Sequence, residues 1–170
     1  EKFGIRDGRL YLNDKEIVWL TDANYRLPGQ VPWREHGVSL VADCSGVFLD
    51  PTADGDKSLR GHLNQADKVI ISASFKMKGG DNLPSDAISI VGGVNQQDFD
   101  TDSHRLISNA SCTTNCVAPV IKALITHFGD RMISFSLTTV HAVTNSQSLV
   151  DNTPKTGAKD LRKTRSALGN

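Results

Sequence analysis

Hydrophobic and polar residues along the chain follow periods that change several times. Arg9-Leu-Tyr-Leu12 and Glu16-Ile-Val-Trp-Leu20 flank the polar Asn13-Asp-Lys15, which predicts an antiparallel hairpin. Asn24 to Gly37 has no period and holds Pro28-Gly29 and Pro32, so it reads as a loop. Val38-Ser-Leu-Val-Ala42 then reads as a strand ending at Cys44-Ser-Gly46. Leu59 and Leu63, four apart between Lys57 and Ala66, predict a helix, and the apolar strand Lys68-Val-Ile-Ile-Ser72 follows. Strand, helix, strand is an α/β rhythm, and such continuous apolar runs belong to buried, mostly parallel strands. After a polar loop from Lys76 to Pro84, Ala87-Ile-Ser-Ile-Val91 and Arg105-Leu-Ile-Ser108 are two further strands.

The pattern changes beyond Ser108. The small, polar run Asn109-Ala-Ser-Cys-Thr-Thr-Asn-Cys116 leads into Val117, Val120, Ile121, Leu124, Ile125 and Phe128, an apolar face of helical period closed by Gly129. Cys112 therefore falls at the start of a helix. Pro119 lies several residues inside it and removes the hydrogen bond to the carbonyl of Asn115, which either kinks the first turns or separates them from the rest; a kink near Pro119 is expected. Met132 to His141 is partly alternating and β-branched and predicts a strand that ends at His141; Asn145 to Arg165 is polar, basic and irregular. No internal repeat is visible, and a domain boundary is expected near Asn109 to Ser111, dividing the chain into 1–110 and 111–170.

Charge removes some function classes. Nineteen Lys and Arg balance nineteen Asp and Glu over 170 residues, so no basic surface recommends nucleic acid or anionic membrane as a partner. The apolar runs are far shorter than a bilayer span. Three cysteines, Cys44, Cys112 and Cys116, are too few and odd in number for a disulfide framework, and no secretory leader opens the chain, so a cytoplasmic, reducing setting is expected.

Cysteine acts as a nucleophile in its thiolate form, which the unpaired amides and positive dipole end of a helix N-terminus favour. Cys112 occupies such a position. His141, 29 residues further on at the end of the following strand, is the best placed of the five histidines to act as its acid–base partner. The blander reading makes Cys112 a small core residue and His141 a hydrogen-bonded strand end. Cys112 and Cys116 share a helix face, but no further ligands at metal spacing accompany them, so no metal is expected. Ser111, Thr113 and Thr114 suit helix capping, and an anion at a helix N-terminus as well. Arg162 and Arg165 read first as solvated or ion-paired groups.

The run Ile107-Ser-Asn-Ala-Ser-Cys-Thr-Thr-Asn-Cys-Val-Ala-Pro119 closely resembles the active-site signature of phosphorylating glyceraldehyde-3-phosphate dehydrogenases. Val31-Pro-Trp33 with Gly37-Val38, Ser45-Gly-Val-Phe48, Lys68-Val-Ile-Ile-Ser-Ala73, Gly93-Val-Asn95, Thr138-Thr-Val-His-Ala-Val-Thr144 and Lys159-Asp-Leu-Arg162 resemble that family in the same order. The resemblance implies a Rossmann-type NAD(P)-binding domain, represented by its later part in 1–110, followed by the start of an α+β catalytic domain in 111–170. It implies that Cys112 attacks the aldehyde to give a hemithioacetal, that His141 acts as base and helps hold the oxyanion, and that phosphate attacks the resulting thioester. Ser111, Thr113, Thr144 and Ser146 match hydroxyls of the two phosphate-binding sites. Ser45, Gly46, Phe48, Ser72, Ala73 and Asn145 match positions on the cofactor side, with NAD or NADP as cofactor.

The same resemblance implies a cytoplasmic homotetramer of glycolysis or gluconeogenesis acting on a small phosphorylated aldehyde. The family's glycine-rich fingerprint is expected to precede Glu1, and the remainder of its catalytic domain to follow Asn170, because neither Gly79-Gly80 nor Gly92-Gly93 fits the fingerprint. The rival functions are an erythrose-4-phosphate dehydrogenase, which shares the cysteine and histidine, a non-catalytic segment acting as a folding or interaction module, and a thiol protease as the other reading of a cysteine and histidine dyad.

Overall fold

A computed structural model describes residues 2–77, 82–143, 147–153 and 166. The chain divides into two compact units, Glu1–Met132 and Ile133–Asn170.

The first unit opens with a three-stranded antiparallel meander, β1 (Phe3–Arg6), β2 (Arg9–Leu12) and β3 (Lys15–Ile17). The expected hairpin forms with Leu10 opposite Ile17 and Leu12 opposite Lys15, its strand stopping at Ile17 rather than Leu20. Asn13 and Asp14 both take positive φ, 49° and 67°, at the turn. Paired left-handed residues match the twist of the flanking strands, and Asn and Asp tolerate that conformation. Asp7-Gly8 makes the equivalent turn, φ 50° and 74°, between β1 and β2.

A four-stranded parallel sheet forms the core, ordered β4 (Leu40–Asp43), β5 (Lys68–Ile71), β7 (Leu106–Ser108), β6 (Ala87–Ser89). This is the α/β class expected from the apolar runs. Val41, Val69, Ile71, Ala87 and Leu106 pack with Leu59 and Ala66 into one buried cluster. Burial of each valine, leucine or isoleucine among them contributes roughly 1.5–3 kcal/mol.

The crossover between β4 and β5 differs from the expected α-helix over Lys57–Ala66. It carries a 3-10 helix, Leu59–Asn64, which buries Leu59, Gly61 and His62. A Cβ at Gly61 would lie 2.8 Å from the amide nitrogen of Gly29 and 2.9 Å from the carbonyl of Asp56, so this turn is pressed against backbone on one side. Six residues at that close approach cannot offer the full apolar stripe on which a longer α-helix depends.

Arg60 of this segment makes a bidentate pair with Asp86, at 2.6 and 2.8 Å, and donates a third bond to the carbonyl of Pro51 at 2.7 Å. The pair ties the crossover to the entry of β6. The hydrogen bonds from Arg60 hold the Asp86 carboxyl below the ordinary carboxylate range. A carboxyl depressed in the folded state stabilises the fold above its unfolded pKa, and that contribution disappears as pH falls through the folded value. Asp86→Asn is therefore expected to lower stability by about 1 kcal/mol at pH 7, since the pair is partly solvated. The deficit against the unmutated chain should shrink in urea unfolding as pH falls below 4; a pH-independent deficit would contradict this role.

The α-helix α1 (Cys112–Phe128) follows β7 and is the single α-helix among the described residues. Ser111 caps it by accepting a hydrogen bond from the amide of Thr114 at 3.0 Å. The helix runs continuously across Pro119, so its first turns are not separated from the rest. Asn115, four residues before the proline, has its side-chain amide on the carbonyls of Asn109 and Ser111, at 2.7 and 2.9 Å, which bolsters the first turn. The apolar face is only partly covered: Val120, Leu124, Ile125 and Phe128 all remain exposed.

Met132, which ends the first unit, through His141 of the second forms no strand. This corrects the expectation from sequence. The alternation is real, with Ile133, Phe135 and Leu137 spaced by two, but a strand requires a hydrogen-bonded neighbour. Among the described residues no segment pairs with this one, and Ile133 is 94% exposed. An isolated bridge joins Ser148 and Ser166, and most of Asn145–Arg165 lies outside the described residues. Among the described residues, no helix is long and apolar enough to cross a membrane.

Candidate functional site

Asp43, Ile71 and Ser108 end three neighbouring parallel strands at one level. The chain leaving each strand enters the same edge of the sheet, the carboxyl edge at which open α/β sheets bind ligands. From β4 come Cys44, Ser45, Gly46 and Phe48; from β5, Ser72 and Ala73; from β7, Ser111, Cys112 and Thr113. The structure thus gathers at one edge the described candidates of the first unit.

Hydrogen bonds stitch these lips together. The Ser72 amide donates to the carbonyl of Asp43 at 3.1 Å, and the Asn109 amide donates to that of Ile71 at 3.0 Å. The Ser108 hydroxyl donates to the carbonyl of Ala73 at 2.7 Å and accepts from the Ala110 amide at 3.0 Å. Gly46 takes φ 68°, a left-handed turn that glycine enters without steric cost. Ala110 does so at φ 54°, an uncommon conformation for a residue with a Cβ. The turn from β7 into α1 is therefore held by Ser108 and Asn109 in a shape that its own residues would not prefer.

Cys112 is the first residue of α1 and its thiol is exposed. Strand, strained turn and capped helix place it where the dipole and the amides of a first turn favour negative charge. The Ser111 and Thr114 hydroxyls lie 2.7 Å apart and share the cap. Cys44 and Cys116 are also exposed, and none of the three cysteines is in a disulfide.

His141 belongs to the second unit, where it is exposed and its Nδ1 lies 2.7 Å from the carbonyl oxygen of Ala142. A carbonyl only accepts, so Nδ1 carries the proton and Nε2 is the basic nitrogen of the neutral ring. Thr144, Asn145, Ser146, Arg162 and Arg165 lie outside the described residues.

The β4 edge also holds groups that the sequence reading passed over. An open cavity of about 330 Å³ is lined by Tyr25, Arg26, Trp33, Asp43, Ser45 and Phe48 among others. In its wall, the buried His62 lies with Nε2 3.4 Å from Asp43, while its Nδ1 accepts from the Trp33 indole N–H at 3.1 Å. Burial pushes the His62 imidazole below its ordinary range, against the pull of Asp43 in the other direction. A histidine inside a short apolar crossover and an aspartate ending a β-strand were the available signals, and the contact between them spans 19 residues of sequence.

Residues 111–170, which begin at the helix cap and include Cys112 and His141, match the family described as glyceraldehyde 3-phosphate dehydrogenase, C-terminal domain. Glyceraldehyde-3-phosphate dehydrogenase 2 of Bacillus subtilis strain 168 is 42% identical over 157 residues, 92% of this chain and 40% of that protein. The chain belongs to the glyceraldehyde-3-phosphate dehydrogenase family. The glyceraldehyde-3-phosphate dehydrogenase of Streptomyces coelicolor is 42% identical over 159 residues, covering 94% of this chain and 41% of its own length. A third, from Nostoc sp. PCC 7120, is 37% identical over 165 residues, 96% of this chain and 42% of that protein. The chain thus spans about two fifths of the length of these glyceraldehyde-3-phosphate dehydrogenases.

Proposed function

We propose that this chain carries the catalytic cysteine and part of the cofactor edge of a phosphorylating glyceraldehyde-3-phosphate dehydrogenase. The carrying observation is that Cys112 opens a capped helix at the same sheet edge as the Ser45–Phe48 turn and the Ser72–Ala73 strand end. The residues fit a dinucleotide: a glycine turn, the exposed serines Ser45 and Ser72 and an open cavity walled by Trp33 and Phe48 supply apolar surface beside hydrogen-bonding groups. A nicotinamide dinucleotide bound there would supply the hydride acceptor. NAD or NADP would lie along Ser45, Gly46, Phe48, Ser72 and Ala73, with Asn145 near the nicotinamide.

The chemistry of the chain's own residues follows. The Cys112 thiolate adds to the aldehyde carbon, forming a C–S bond and an alkoxide that the first-turn amide of Cys112 stabilises. The alkoxide takes a proton to give the hemithioacetal, and His141 removes that proton again as the carbon is oxidised. The Cys112 thioester that results is attacked by inorganic phosphate; the C–S bond breaks, the thiolate is restored and an acyl phosphate leaves. Ser111, Thr113, Thr144 and Ser146 are the hydroxyls assigned to the substrate phosphate and the attacking phosphate. The 111–170 segment is the start of the catalytic domain and 1–110 the later part of a Rossmann-type domain. A cytoplasmic homotetramer is the assembly that accompanies this reading.

The test is formation of reduced cofactor by the full-length protein with glyceraldehyde 3-phosphate and with erythrose 4-phosphate, with and without inorganic phosphate. Phosphate-dependent turnover with the higher kcat/KM on the triose supports the reading. Preference for the tetrose would move the assignment to erythrose-4-phosphate dehydrogenase, and turnover of neither would leave a binding module.

A further inference from the structure

Asp43 is the last residue of β4 and the one buried carboxylate among the described residues, and each of its acceptor groups is directed at a different segment. Its Oδ1 accepts from the Ser45 amide at 2.8 Å, its Oδ2 faces His62 Nε2 at 3.4 Å, and its carbonyl accepts from the Ser72 amide at 3.1 Å. The Ser45 hydroxyl in turn accepts from the Val47 amide at 3.2 Å. The side chains of His62 and Asp43 are only 9% and 6% exposed, so their mutual orientation is not diluted by solvent.

The network admits one proton arrangement. An indole N–H only donates, so His62 Nδ1 is the acceptor and carries no proton. The neutral ring then bears its proton on Nε2 and donates toward Asp43. Protonating Nδ1 would set two donors face to face at Trp33, and the burial of His62 opposes that charge as well. Trp33 therefore selects the tautomer of His62, His62 orients the carboxylate of Asp43, and the carboxylate holds the Ser45 amide.

We propose that Trp33, His62 and Asp43 form a hydrogen-bonded relay that fixes the Ser45–Gly46 turn for a dinucleotide, with Asp43 and His62 as positioning residues. The cofactor reading of that turn given above underlies the ligand part of this assignment. All four of Trp33, Asp43, Ser45 and His62 line the same cavity, so the relay is its wall as well as its support. A neighbouring apolar core already supplies burial at Val41, Leu59 and Val69. What the polar chain adds is direction: a rotated Asp43 carboxylate would release the turn amide.

The variants separate direction from volume. His62→Leu fills much of the same space and leaves the Asp43 carboxylate without its donor. His62→Gln retains an N–H for Asp43. Asp43→Asn can still accept from the Ser45 amide, but its NH₂ then faces the Nε2 proton of His62; shifting that proton to Nδ1 breaks the bond from Trp33 instead. One hydrogen bond is lost either way.

The experiment is amide hydrogen exchange read by NMR on the whole chain, followed by titration with NAD monitored at the amides of residues 44–48. Val69, whose amide donates to the carbonyl of Arg105 at 2.9 Å inside the sheet, reports global stability. His62→Leu and Asp43→Asn are expected to speed exchange of the Ser45 amide tenfold or more relative to Val69 and to weaken NAD binding about tenfold. His62→Gln should recover most of both. Equal acceleration at Ser45 and Val69 would reduce the relay to bulk stability and overturn the proposal, as would unchanged exchange at Ser45. Should His62→Leu fail to fold, Asp43→Asn and Trp33→Phe carry the same comparison. An unmutated chain whose 44–48 amides do not respond to NAD overturns the cofactor reading and the ligand half of the relay, and the exchange data judge the turn separately.

Discussion

Cys112→Ser is expected to reduce phosphate-dependent turnover of the full-length protein on the order of 10⁴-fold or more while leaving the fold intact. Serine keeps the size and the first helical position, so the Ser111 cap and the Asn115 bonds to Asn109 and Ser111 remain. What it removes is a thiol, inherently far more acidic than a hydroxyl, and a sulfur leaving group. A serine alkoxide is scarce at that pH, and an ester transfers its acyl group to phosphate far more slowly than a thioester. Loss of a covalent nucleophile has a large, non-additive cost because every later step depends on it. Substitution of Cys116, four residues on along the same helix, should leave turnover within a fewfold; a comparable loss there would assign the chemistry to the wrong thiol. The measurement is kcat/KM beside urea unfolding of both variants.

His141→Asn is expected to lower kcat by about 10²–10⁴-fold, the usual contribution of a positioned acid–base group. Nδ1 donates to the carbonyl of Ala142, which makes Nε2 the basic nitrogen of the neutral ring. Asparagine can imitate the donor but offers no basic nitrogen. The pH profile of kcat/KM should therefore lose one ionisation rather than merely shift downward. Combining the two substitutions should cost little more than Cys112→Ser alone, because in the proposed mechanism no hemithioacetal forms without the thiol and His141 then has no proton to remove. Additive losses would mean that the two residues act on separate steps.

The parallel strands were readable from sequence because each is a short apolar run; the sheet buries β7 throughout and alternate residues of β4 and β5. Val69 and Ile71 are almost completely enclosed, as are Leu106 and Ser108. The helix was readable from its boundaries, a serine cap at Ser111 and a glycine stop at Gly129. Asp7-Gly8 was an equally plain turn signal, and the strand before it, β1, was missed when only the following hairpin was taken into account. The crossover helix was misjudged because periodicity in Leu59 and Leu63 does not register the backbone that crowds Gly61. The strand expected over Met132–His141 shows the limit of pattern reading: alternation states which face a strand would bury, and the neighbouring strand is a separate matter.

The site divides in the same way. Cys112 was legible because its helix start is local, spelled out within four residues of the thiol. The cofactor-side residues Ser45, Gly46, Ser72 and Ala73 became candidates through family resemblance, and the sheet register explains their proximity, since Asp43 lies beside Ile71. Trp33, Asp43 and His62 escaped notice because their bonds cross 29 and 19 residues of sequence. Single long-range polar contacts leave no periodic trace, and only a folded sheet edge reveals them.

The most direct measurement of the central claim is to supply the full-length protein with glyceraldehyde 3-phosphate and oxidised cofactor while withholding inorganic phosphate, quench with acid, and map the cysteines by peptide mass. The account predicts an acyl adduct on Cys112 alone, discharged when phosphate is added before the quench. An adduct on Cys44 or Cys116, or turnover with no adduct on any cysteine, would contradict it.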